Sequence, residues 1–400
     1  MKVKIKKGTA SGKITAPPSK SYAHRILIAA FLSQNSCKIE NVAFSRDILE
    51  TLGCLESLGA NYKKSENSVE FFKEQKAKTP IFTCNESGST LRFLIPISLV
   101  FFDSVEFICG ERLIKRGIGV YEEIFKDYGI SFNKTQTKIQ INGKLKSGKY
   151  KIKGDISSQF ISGLMFSLPL LKEDSFIEII EPFESKSYVD ITVEVLKNFG
   201  INIEKQGENL YFIKGGQKYI SKNSFVENDW SNSAFFYALN YIGGNVLVEG
   251  LNQNSKQGDK ECLNIFENLK KGNLDINLSL TPDLAPIVFC LSAILNGGNF
   301  TGTKRLAIKE SDRRESVKQE LEKLGIKVEI DGDFVKVIKG DLQIPNEPIN
   351  SHNDHRIAMA FAVLLTLTGG EIMGAECTLK SYPNFFSELE KLNIGVEYEY

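Results

Sequence analysis

The sequence has 400 residues, of which 42% are hydrophobic and 25% are charged. At roughly 150 residues per domain this length predicts two or three domains, and the composition excludes collagen, a disordered chain and a disulfide scaffold. Lysine and arginine total 50 against 49 acidic residues, which leaves a net charge of +1. That balance argues against a protein that binds nucleic acid or a membrane surface through bulk positive charge.

An amphipathic helix followed by an alternating strand is predicted six times along the chain. Each helix ends at a residue that accepts the left-handed backbone. In chain order these residues are Gly59, Gly129, Gly200, Gly272, Gly325 and Asn393. Their spacings are 70, 71, 72, 53 and 68 residues. The repeat therefore predicts six similar units, one of them trimmed at the short spacing.

A more apolar helix is predicted in the same frame of each unit, and it begins with small polar residues. The six helices start in PSKSYAHR, ESGSTLRF, DISSQFIS, DWSNSAFF, TPDLAPIV and NDHRIAMA. Ser, Thr, Asp and Asn are typical N-caps, and a helix N-terminus presents free N–H groups and partial positive charge to anions. The sequence predicts an α/β (α+β) fold of six βαβαββ units, three per domain, with function at the helix starts.

Arginine and histidine are scarce and gather at these helix starts. The chain has nine arginines and three histidines, and two histidines directly precede an arginine, in His24-Arg25 and His355-Arg356. Arginine is favoured where a planar donor must bind a carboxylate or phosphate. Lys20 and His24 share one helix face, where cations oppose the helix dipole unless an anion is bound. The pattern indicates anionic ligands.

Two carboxylates accompany the cations. Asp283 could equally be a simple N-cap, and the charged run from Lys309 to Glu315 could be a solvated helix face. Taken with the cations and hydroxyls, Asp283 and Glu310 suit two small polyanions held together, with carboxylates for proton transfer. The P-loop and GxGxxG nucleotide motifs do not occur in the sequence.

Seven cysteines are scattered without a C-x-x-C motif, so neither a zinc site nor a redox motif is indicated. We expect them to be buried apolar residues in a reducing compartment. The basic N-terminus lacks the apolar segment of a signal peptide, and we predict no transmembrane span. A cytoplasmic protein is expected.

The motifs, taken in order, resemble the enolpyruvyl transferase family nearly end to end. They are PSKSYAHR, ESGSTLRFL, CGERL, GDISSQFISGL, SKSYVDIT, PDLAPIVFCLSA, IKESDRR, NDHRIAMAF and KSYPNFF. The resemblance implies two lobes, one of residues 14–226 and one of residues 1–13 plus 227–400, with the active site in the cleft between them. It implies no metal and no cofactor, and a monomer is expected.

The resemblance also implies a reaction in aromatic amino acid biosynthesis. The enolpyruvyl group of phosphoenolpyruvate passes to the 5-hydroxyl of shikimate 3-phosphate through a tetrahedral intermediate, and phosphate is released. By this resemblance Asp283 accepts the hydroxyl proton, Glu310 protonates the methylene carbon and Lys20 is a further catalytic candidate.

Binding residues are carried over in the same way. The implied contacts of shikimate 3-phosphate are Lys20, Ser21, Arg25, Ser157, Ser158, Gln159, Ser185, Tyr188, Asp283 and Lys309. The implied contacts of phosphoenolpyruvate are Lys20, Gly88, Arg112, Gln159, Arg313, Arg356 and Lys380.

The chain departs from the family pattern at a few positions. It reads CNESGST where many members read GNAGT, and Arg305 stands where some members place a substrate-binding Asn. Two other functions are alternatives to this one. A UDP-N-acetylglucosamine enolpyruvyl transferase would need a loop cysteine, for which Cys109 in FICGERL is a poor candidate because that segment resembles a strand end. A non-catalytic anion-binding or RNA-end-processing protein would gain nothing from Asp283 and Glu310.

Overall fold

Residues 11–15 pair in parallel with residues 245–249, so the N-terminal segment folds with the C-terminal half of the chain. The structure is a computed structural model that describes residues 1–74 and 78–399. It contains a central unit, Pro18–Glu227, and a terminal unit, Met1–Pro17 with Asn228–Tyr400. The expected first boundary, at residue 14, falls inside the 11–15 strand, and the pairing of that strand explains why the division comes four residues later.

The terminal unit begins with β1 (Lys2–Ile5) and β2 (Ser11–Thr15). The central unit then contains α1 (Lys20–Leu32), β3 (Cys37–Glu40), α2 (Arg46–Ser57), β4 (Tyr62–Lys64), β5 (Ser68–Phe71), β6 (Ile81–Asn85), α3 (Gly88–Phe101), β7 (Ser104–Cys109), α4 (Glu111–Arg116), α5 (Gly119–Lys126), β8 (Ser131–Lys134), β9 (Lys138–Asn142), β10 (Lys149–Lys153), α6 (Ser158–Ser167), β11 (Ser175–Ile180), α7 (Lys186–Asn198), β12 (Ile203–Lys205), β13 (Leu210–Ile213) and β14 (Ser224–Phe225).

The terminal unit resumes after residue 227. Its remaining helices and strands are α8 (Trp230–Tyr241), β15 (Asn245–Glu249), α9 (Cys262–Lys271), β16 (Asp275–Asn277), α10 (Ala285–Ile294), β17 (Gly298–Thr301), α11 (Arg313–Lys323), β18 (Val328–Asp331), β19 (Phe334–Val337), β20 (Ile349–Asn350), α12 (His355–Thr368), β21 (Gly370–Met373), α13 (Phe385–Lys391) and β22 (Val396–Glu399). Short 3₁₀ turns precede α9, α11 and α13.

In the described part of the chain, six small sheets confirm the six predicted units. The central unit has the orders β14-β3-β5-β4, β6-β7-β9-β8 and β10-β11-β13-β12, and the terminal unit has β16-β17-β19-β18, β20-β21-β1-β22 and β15-β2. In each four-stranded sheet the first pair is parallel and the other pairs are antiparallel. The unit of β2, α8, β15 and α9 is the trimmed one, because the chain passes from α9 to β16 of the next sheet.

The six residues predicted to end the amphipathic helices all have positive φ. The values are 100° at Gly59, 74° at Gly129, 81° at Gly200, 83° at Gly272, 80° at Gly325 and 66° at Asn393. This conformation carries little penalty for Gly and is tolerated by Asn. The physical basis of the sequence repeat is thereby confirmed.

Each of the six βαβαββ repeats buries its apolar helix, and five of these six helices have the predicted side-chain cap. The capping residues are Ser19, Ser87, Ser157, Asp229 and Asp354. Helix α10 is the exception, since Leu284 occupies its N-cap position without a side-chain bond. The interpretation of Asp283 as an N-cap is therefore wrong, and its carboxylate has other partners.

The central unit and the terminal unit each have their own hydrophobic core around three buried helices. Strand register places side chains on the core face: in the β7–β9 pair, Val105 lies opposite Ile141 and Phe107 opposite Ile139, and all four are buried. A Cβ added at Gly163 would collide with Tyr121 Oη and the Arg92 carbonyl oxygen, so glycine allows α6 to pack closely on α3. None of the helices in the described part of the chain is long and apolar enough to cross a bilayer.

Candidate active site

The predicted site residues divide between the two units. The central unit holds Lys20, Ser21, Arg25, Gly88, Arg112, Ser157, Ser158, Gln159, Ser185 and Tyr188. The terminal unit holds Asp283, Lys309, Glu310, Arg313, Arg356 and Lys380.

Hydrogen bonds join the starts of the three buried helices of the central unit. Gln159 of α6 accepts a bond from Arg92 Nη1 at 2.7 Å and donates to Ser89 Oγ at 2.8 Å, which ties α6 to α3. Arg25 of α1 reaches Ser162 Oγ of α6 at 3.5 Å. The polar residues that the sequence places at separate helix starts therefore lie together in this unit.

Lys20 is the first residue of α1, and its Nζ lies 2.8 Å from Asp47 Oδ2 of α2. The two side chains are only 18% and 12% exposed. Because a cation at a helix start opposes the helix dipole, the Asp47 carboxylate stabilises the Lys20 ammonium at this position. Sequence reasoning missed Asp47, which lies 27 residues from its partner.

The Arg25 guanidinium is buried among neutral acceptors. Its Nε donates to Thr192 Oγ1 at 2.7 Å, Nη1 donates to the Ser21 carbonyl at 2.7 Å, and Nη2 donates to the Tyr188 carbonyl at 3.1 Å. Burial lowers the pKa of Arg25 to about 10, so the group is still a cation at neutral pH. Within residues 1–74 and 78–399 it forms no ion pair with a carboxylate, which suits it to a carboxylate ligand.

Gly88 lies beside two arginines. A Cβ added there would stand 3.3 Å from Arg92 Nη1 and 3.4 Å from Arg116 Nη2. Burial, with the nearby charge of Arg116, lowers the pKa of Arg92 to about 9. In the described part of the chain neither arginine forms an ion pair, so two cations face the start of α3 without a carboxylate. The absence of a side chain at Gly88 leaves room for an anion between them.

The arginine beside Gly88 is Arg116 and not the predicted Arg112. Both belong to α4, one turn apart, but the Arg112 side chain is exposed. In the unusual CNESGST segment, Glu86 packs against Gly110 at the start of α4, and Asn85 donates to Glu50 Oε1 at 3.0 Å. Sequence reasoning missed Arg116, although an arginine one turn beyond Arg112 was a signal available in the sequence.

The remaining central residues lie at the starts of α6 and α7. Ser157 Oγ accepts a bond from the Gln159 N–H at 3.3 Å, and Ser158 is buried in the first turn of α6. Ser185 is buried at the start of α7 with φ of +51°. Tyr188 is connected through its carbonyl to Arg25. Of these four residues, Tyr188 is the one that the structure joins directly to the Arg25 guanidinium.

Three cations surround Asp283 in the terminal unit. Its Oδ1 accepts from Arg313 Nη1 at 2.7 Å and from Lys309 Nζ at 3.3 Å, and its Oδ2 accepts from Arg356 Nη2 at 3.3 Å. Burial alone would raise the pKa of Asp283, but Arg356, Lys309 and Arg313 outweigh burial and hold the pKa well below its usual value. Asp283 is therefore an ionised carboxylate inside a cationic site.

Lys309 has an unusually acidic ammonium. Burial lowers its pKa to about 7, against the opposing charge of Asp283 and with further lowering by Arg305 and Arg313. Arg305, the residue at which the chain departs from the family pattern, is buried near Lys309. The pair makes this part of the site a receptor for negative charge.

Arg313 lies between two carboxylates. Besides Asp283, it contacts Asp354, with Nε 2.9 Å from Oδ2. Burial would lower its pKa, but Asp354 and Asp283 outweigh burial and raise it. Asp354 also caps α12 by accepting the Arg356 N–H at 3.0 Å. The sequence marks Asp354 only as part of a helix start and does not predict its contact with Arg313.

Glu310 and Lys380 form the other side of this cluster. Glu310 Oε2 lies 3.1 Å from His355 Nδ1 and 3.8 Å from Lys380 Nζ. Lys380 Nζ also donates to the Asn353 carbonyl at 2.7 Å. Glu310 is therefore a carboxyl group with a histidine and an ammonium within reach.

Hydrogen bonds join the starts of α8, α10 and α12 around Asp283. Arg356 donates to Ser231 Oγ at 2.8 Å and to the Asp283 carbonyl at 3.1 Å. Asp259 lies near the same groups, and burial, with repulsion from Asp283, raises its pKa to about 6. Ser231 and Asp259 were not found from sequence, because both contacts join residues far apart in the chain.

One group of the described residues has metal-ligand types close together. Ligand atoms of Glu310, Asp354 and His355 lie within 4.8 Å of one another. Asp354 is already bound by Arg313, and Lys380 approaches Glu310. Two cations beside the carboxylates fit an anionic substrate better than a divalent ion.

Comparison with solved structures defines the fold. Two structures of EPSP synthase from Acinetobacter baumannii are similar to this chain. One has a TM-score of 0.77 at 24% identity and covers 99% of this chain and 100% of its own. The other has a TM-score of 0.80 at 22% identity and covers 100% of both chains. At these identities the likeness shows the two-domain enolpyruvyl transferase fold.

Sequence relatives define the family. A family model described as EPSP synthase (3-phosphoshikimate 1-carboxyvinyltransferase) matches residues 5–389. A relative named 3-phosphoshikimate 1-carboxyvinyltransferase from Clostridium perfringens is 38% identical, covering 98% of each chain. Another of that name from Clostridium botulinum is 40% identical and covers 97% of this chain and 96% of its own. The chain belongs to the EPSP synthase family.

Proposed function

We propose that this chain transfers the enolpyruvyl group of phosphoenolpyruvate to the 5-hydroxyl of shikimate 3-phosphate and releases phosphate. Membership of the EPSP synthase family supports this reaction. The observation that carries it is Asp283, a carboxylate kept ionised by Lys309, Arg313 and Arg356. This carboxylate is placed to deprotonate a hydroxyl once bound phosphate and carboxylate groups offset the charge of the cations.

Shikimate 3-phosphate is assigned to Arg25, to the hydroxyl and amide side chains of the central unit, and to the residues around Lys309. Arg25 binds its carboxylate, since this buried cation has only neutral partners among the described residues. Hydroxyls and the ring contact Ser21, Ser185, Tyr188, Gln159 and Asp283, and the phosphate contacts Ser157, Ser158 and Lys309. Arg305 lies near Lys309 and adds to the charge that this phosphate meets.

Phosphoenolpyruvate is assigned to the arginine-rich groups. In the central unit it contacts Lys20, Gly88, Gln159 and Arg116, which takes the place given to Arg112 because its guanidinium lies beside Gly88. In the terminal unit it contacts Arg313, Arg356 and Lys380. We propose that both units act on one pair of substrates, as the two-domain fold of the family suggests.

Anion binding activates Asp283 in this scheme. In the ligand-free chain three cations hold its pKa well below the usual range, so it is a weak base. Phosphate and carboxylate groups on Lys309, Arg313 and Arg356 reduce the positive charge that Asp283 feels and raise its basicity. The carboxylate then accepts the 5-hydroxyl proton only when both substrates are present.

The reaction balances as an addition followed by an elimination. The 5-oxygen bonds to C2 of phosphoenolpyruvate, Asp283 takes the hydroxyl proton, and Glu310 protonates the methylene carbon to give a methyl group. In the elimination a methyl proton returns to Glu310, the bond from C2 to the phosphate oxygen breaks, and the proton held by Asp283 leaves with the released phosphate. The arginine and lysine groups stabilise the charge that moves onto the leaving phosphate, and Lys20 is a further candidate for proton transfer.

Location and assembly complete the proposal. All seven cysteines are unpaired, buried thiols, which supports action in a reducing compartment such as the cytoplasm. We propose that the chain acts as a monomer, as expected from the sequence. The experiment that checks this is sedimentation of the purified chain with both substrates.

The acceptor is tested by phosphate release with phosphoenolpyruvate and either shikimate 3-phosphate or UDP-N-acetylglucosamine. We expect release with shikimate 3-phosphate alone. Release only with the UDP-sugar would assign the chain to the other enolpyruvyl transfer reaction. The position of Cys109 favours the first result, because this thiol is buried at the end of β7.

A further inference from the structure

One face of helix α2 contacts both segments that are assigned to phosphoenolpyruvate in the central unit. Asp47, Glu50, Thr51 and Cys54 lie at positions i, i+3, i+4 and i+7, which share a helix face. Asp47 binds Lys20, Glu50 binds Asn85, and Cys54 donates to the Thr83 carbonyl at 3.2 Å. Helix α2 therefore stands between the start of α1 and the segment that leads into α3.

Thr51 is the centre of this face. Its Oγ1 lies 2.7 Å from His24 Nδ1 of α1 and 2.7 Å from Thr90 Oγ1 of α3. Thr90 Oγ1 lies 2.7 Å from Ser87 Oγ, the N-cap of α3. A continuous chain of hydrogen bonds thus runs from His24 through Thr51 and Thr90 to Ser87.

The four members of this hydrogen-bond chain are buried, with at most 1% exposure. Burial, followed by the charges of Lys20 and Arg25, lowers the pKa of His24 well below its usual value. The imidazole is therefore neutral and acts as a hydrogen-bonding group. In such a dry network each hydroxyl needs its partner, because an unsatisfied buried polar group is costly.

The ends of the hydrogen-bond chain coincide with residues of the proposed site. His24 lies one helical turn after Lys20, and Ser87 directly precedes Gly88. We propose that Thr51 is a positioning residue, which fixes the Lys20 ammonium relative to Gly88 and so sets the geometry of the phosphoenolpyruvate subsite. This inference rests on the proposed function and adds a residue that touches neither substrate.

The test replaces the Thr51 hydroxyl by a methyl group and keeps the branched shape of the side chain. Thr51→Val removes the hydroxyl, and Thr51→Ser keeps it. We expect Thr51→Val to raise KM for phosphoenolpyruvate about tenfold, corresponding to about 1.4 kcal/mol, with KM for shikimate 3-phosphate changed less than twofold. Thr51→Ser, which keeps the hydroxyl but loses the methyl group, should have a KM for phosphoenolpyruvate close to that of the wild-type chain. If apolar packing at residue 51 set this KM, Thr51→Ser would be the more affected variant.

A matched control separates positioning from general destabilisation. Thr366 is also a buried helical threonine, but its hydroxyl bonds only the Val363 carbonyl of its own helix among the described residues. Thr366→Val should lower the melting temperature and leave both KM values unchanged. Equal rises in both KM values for Thr51→Val, or the same KM change in Thr366→Val, would overturn the inference.

A double-mutant cycle gives a second reading. Thr90→Val should raise the same KM, and the double variant with Thr51→Val should be little worse than either single variant, because both break one hydrogen-bond chain. Additive effects would contradict the proposal. An inactive wild-type chain would overturn the proposed function together with this role, whereas an active chain with an unaffected Thr51→Val variant would overturn the role alone.

Discussion

The Asp283 carboxylate and the Arg313 guanidinium are joined by a 2.7 Å hydrogen bond in buried surroundings. On its other side Arg313 is bound to Asp354, so its position is fixed from two directions. A single buried arginine thus links the proposed base to a second carboxylate. This arrangement leads to a first prediction.

Asp283→Asn should lower kcat by about 10²–10⁴-fold, the usual range for loss of a positioned base. Asparagine keeps a hydrogen-bond acceptor for the cations but cannot take the hydroxyl proton, so we expect KM for either substrate to change less than tenfold. Steady-state kinetics on both substrates measures this. Asp341→Asn, at an exposed loop position, is the control and should retain full activity.

Glu310→Gln should abolish proton exchange at the methylene carbon. In deuterated water the wild-type chain with both substrates should place deuterium in that methylene, because Glu310 adds a proton to it and later removes one. The variant should show little deuterium by mass spectrometry and a kcat reduced about 10²-fold or more. Glu315→Gln, on the exposed side of α11, serves as the control; undiminished exchange in Glu310→Gln would remove Glu310 from the mechanism.

Arg116→Ala and Arg112→Ala should differ sharply in their effect on phosphoenolpyruvate. Arg116 lies beside Gly88, and Arg112 is exposed on the same short helix. We expect Arg116→Ala to raise KM for phosphoenolpyruvate at least tenfold, since a charge-assisted bond is worth about 1.5–3 kcal/mol. Arg112→Ala should change it less than twofold, and the reverse result would restore Arg112 as the ligand.

Binding of shikimate 3-phosphate should take up a proton above neutral pH. The pKa of Lys309 is about 7 in the free chain, and a phosphate dianion favours the ammonium form. Calorimetry in buffers of different ionisation enthalpy should show uptake approaching one proton at pH 8 and almost none from Lys309 at pH 6. Lys304→Met, at an exposed position, should preserve this uptake, and equal uptake in Lys309→Met would contradict the assignment.

The same group affects stability with a definite sign. Between the folded pKa of about 7 and the usual lysine value of 10.5, the unfolded chain binds a proton that the folded chain lacks. Stability from this group therefore rises with pH across that window. In Lys309→Met, the slope of unfolding free energy against pH should be smaller between pH 7 and 10.

The six-fold repeat could be predicted from the sequence because it depends on local backbone and side-chain preferences. The helix-ending glycines and Asn393 follow from backbone preference, and five of the six N-caps follow from side-chain chemistry. The trimmed unit was visible as a short spacing between Gly272 and Gly325. These features depend on a few neighbouring residues, which is why the sequence alone predicts them.

Contacts between distant segments could not be predicted in this way. Arg112 and Arg116 are one turn apart, and only the packing of α4 against the Gly88 segment decides which guanidinium reaches it. Likewise Thr51 has no motif of its own, and its role emerges when α1, α2 and α3 are packed together. Asp283 was identified as a candidate, but its three cationic partners come from residues 26, 30 and 73 positions away.

The central claim is transfer of the enolpyruvyl group, and the fate of C2 of phosphoenolpyruvate tests it most directly. The chain would be mixed with shikimate 3-phosphate and phosphoenolpyruvate labelled with carbon-13 at C2, and the reaction followed by NMR. We predict that the label appears in an enol ether of shikimate 3-phosphate, with one inorganic phosphate released for each ether formed. Label in free pyruvate, or no change in phosphoenolpyruvate, would contradict the account.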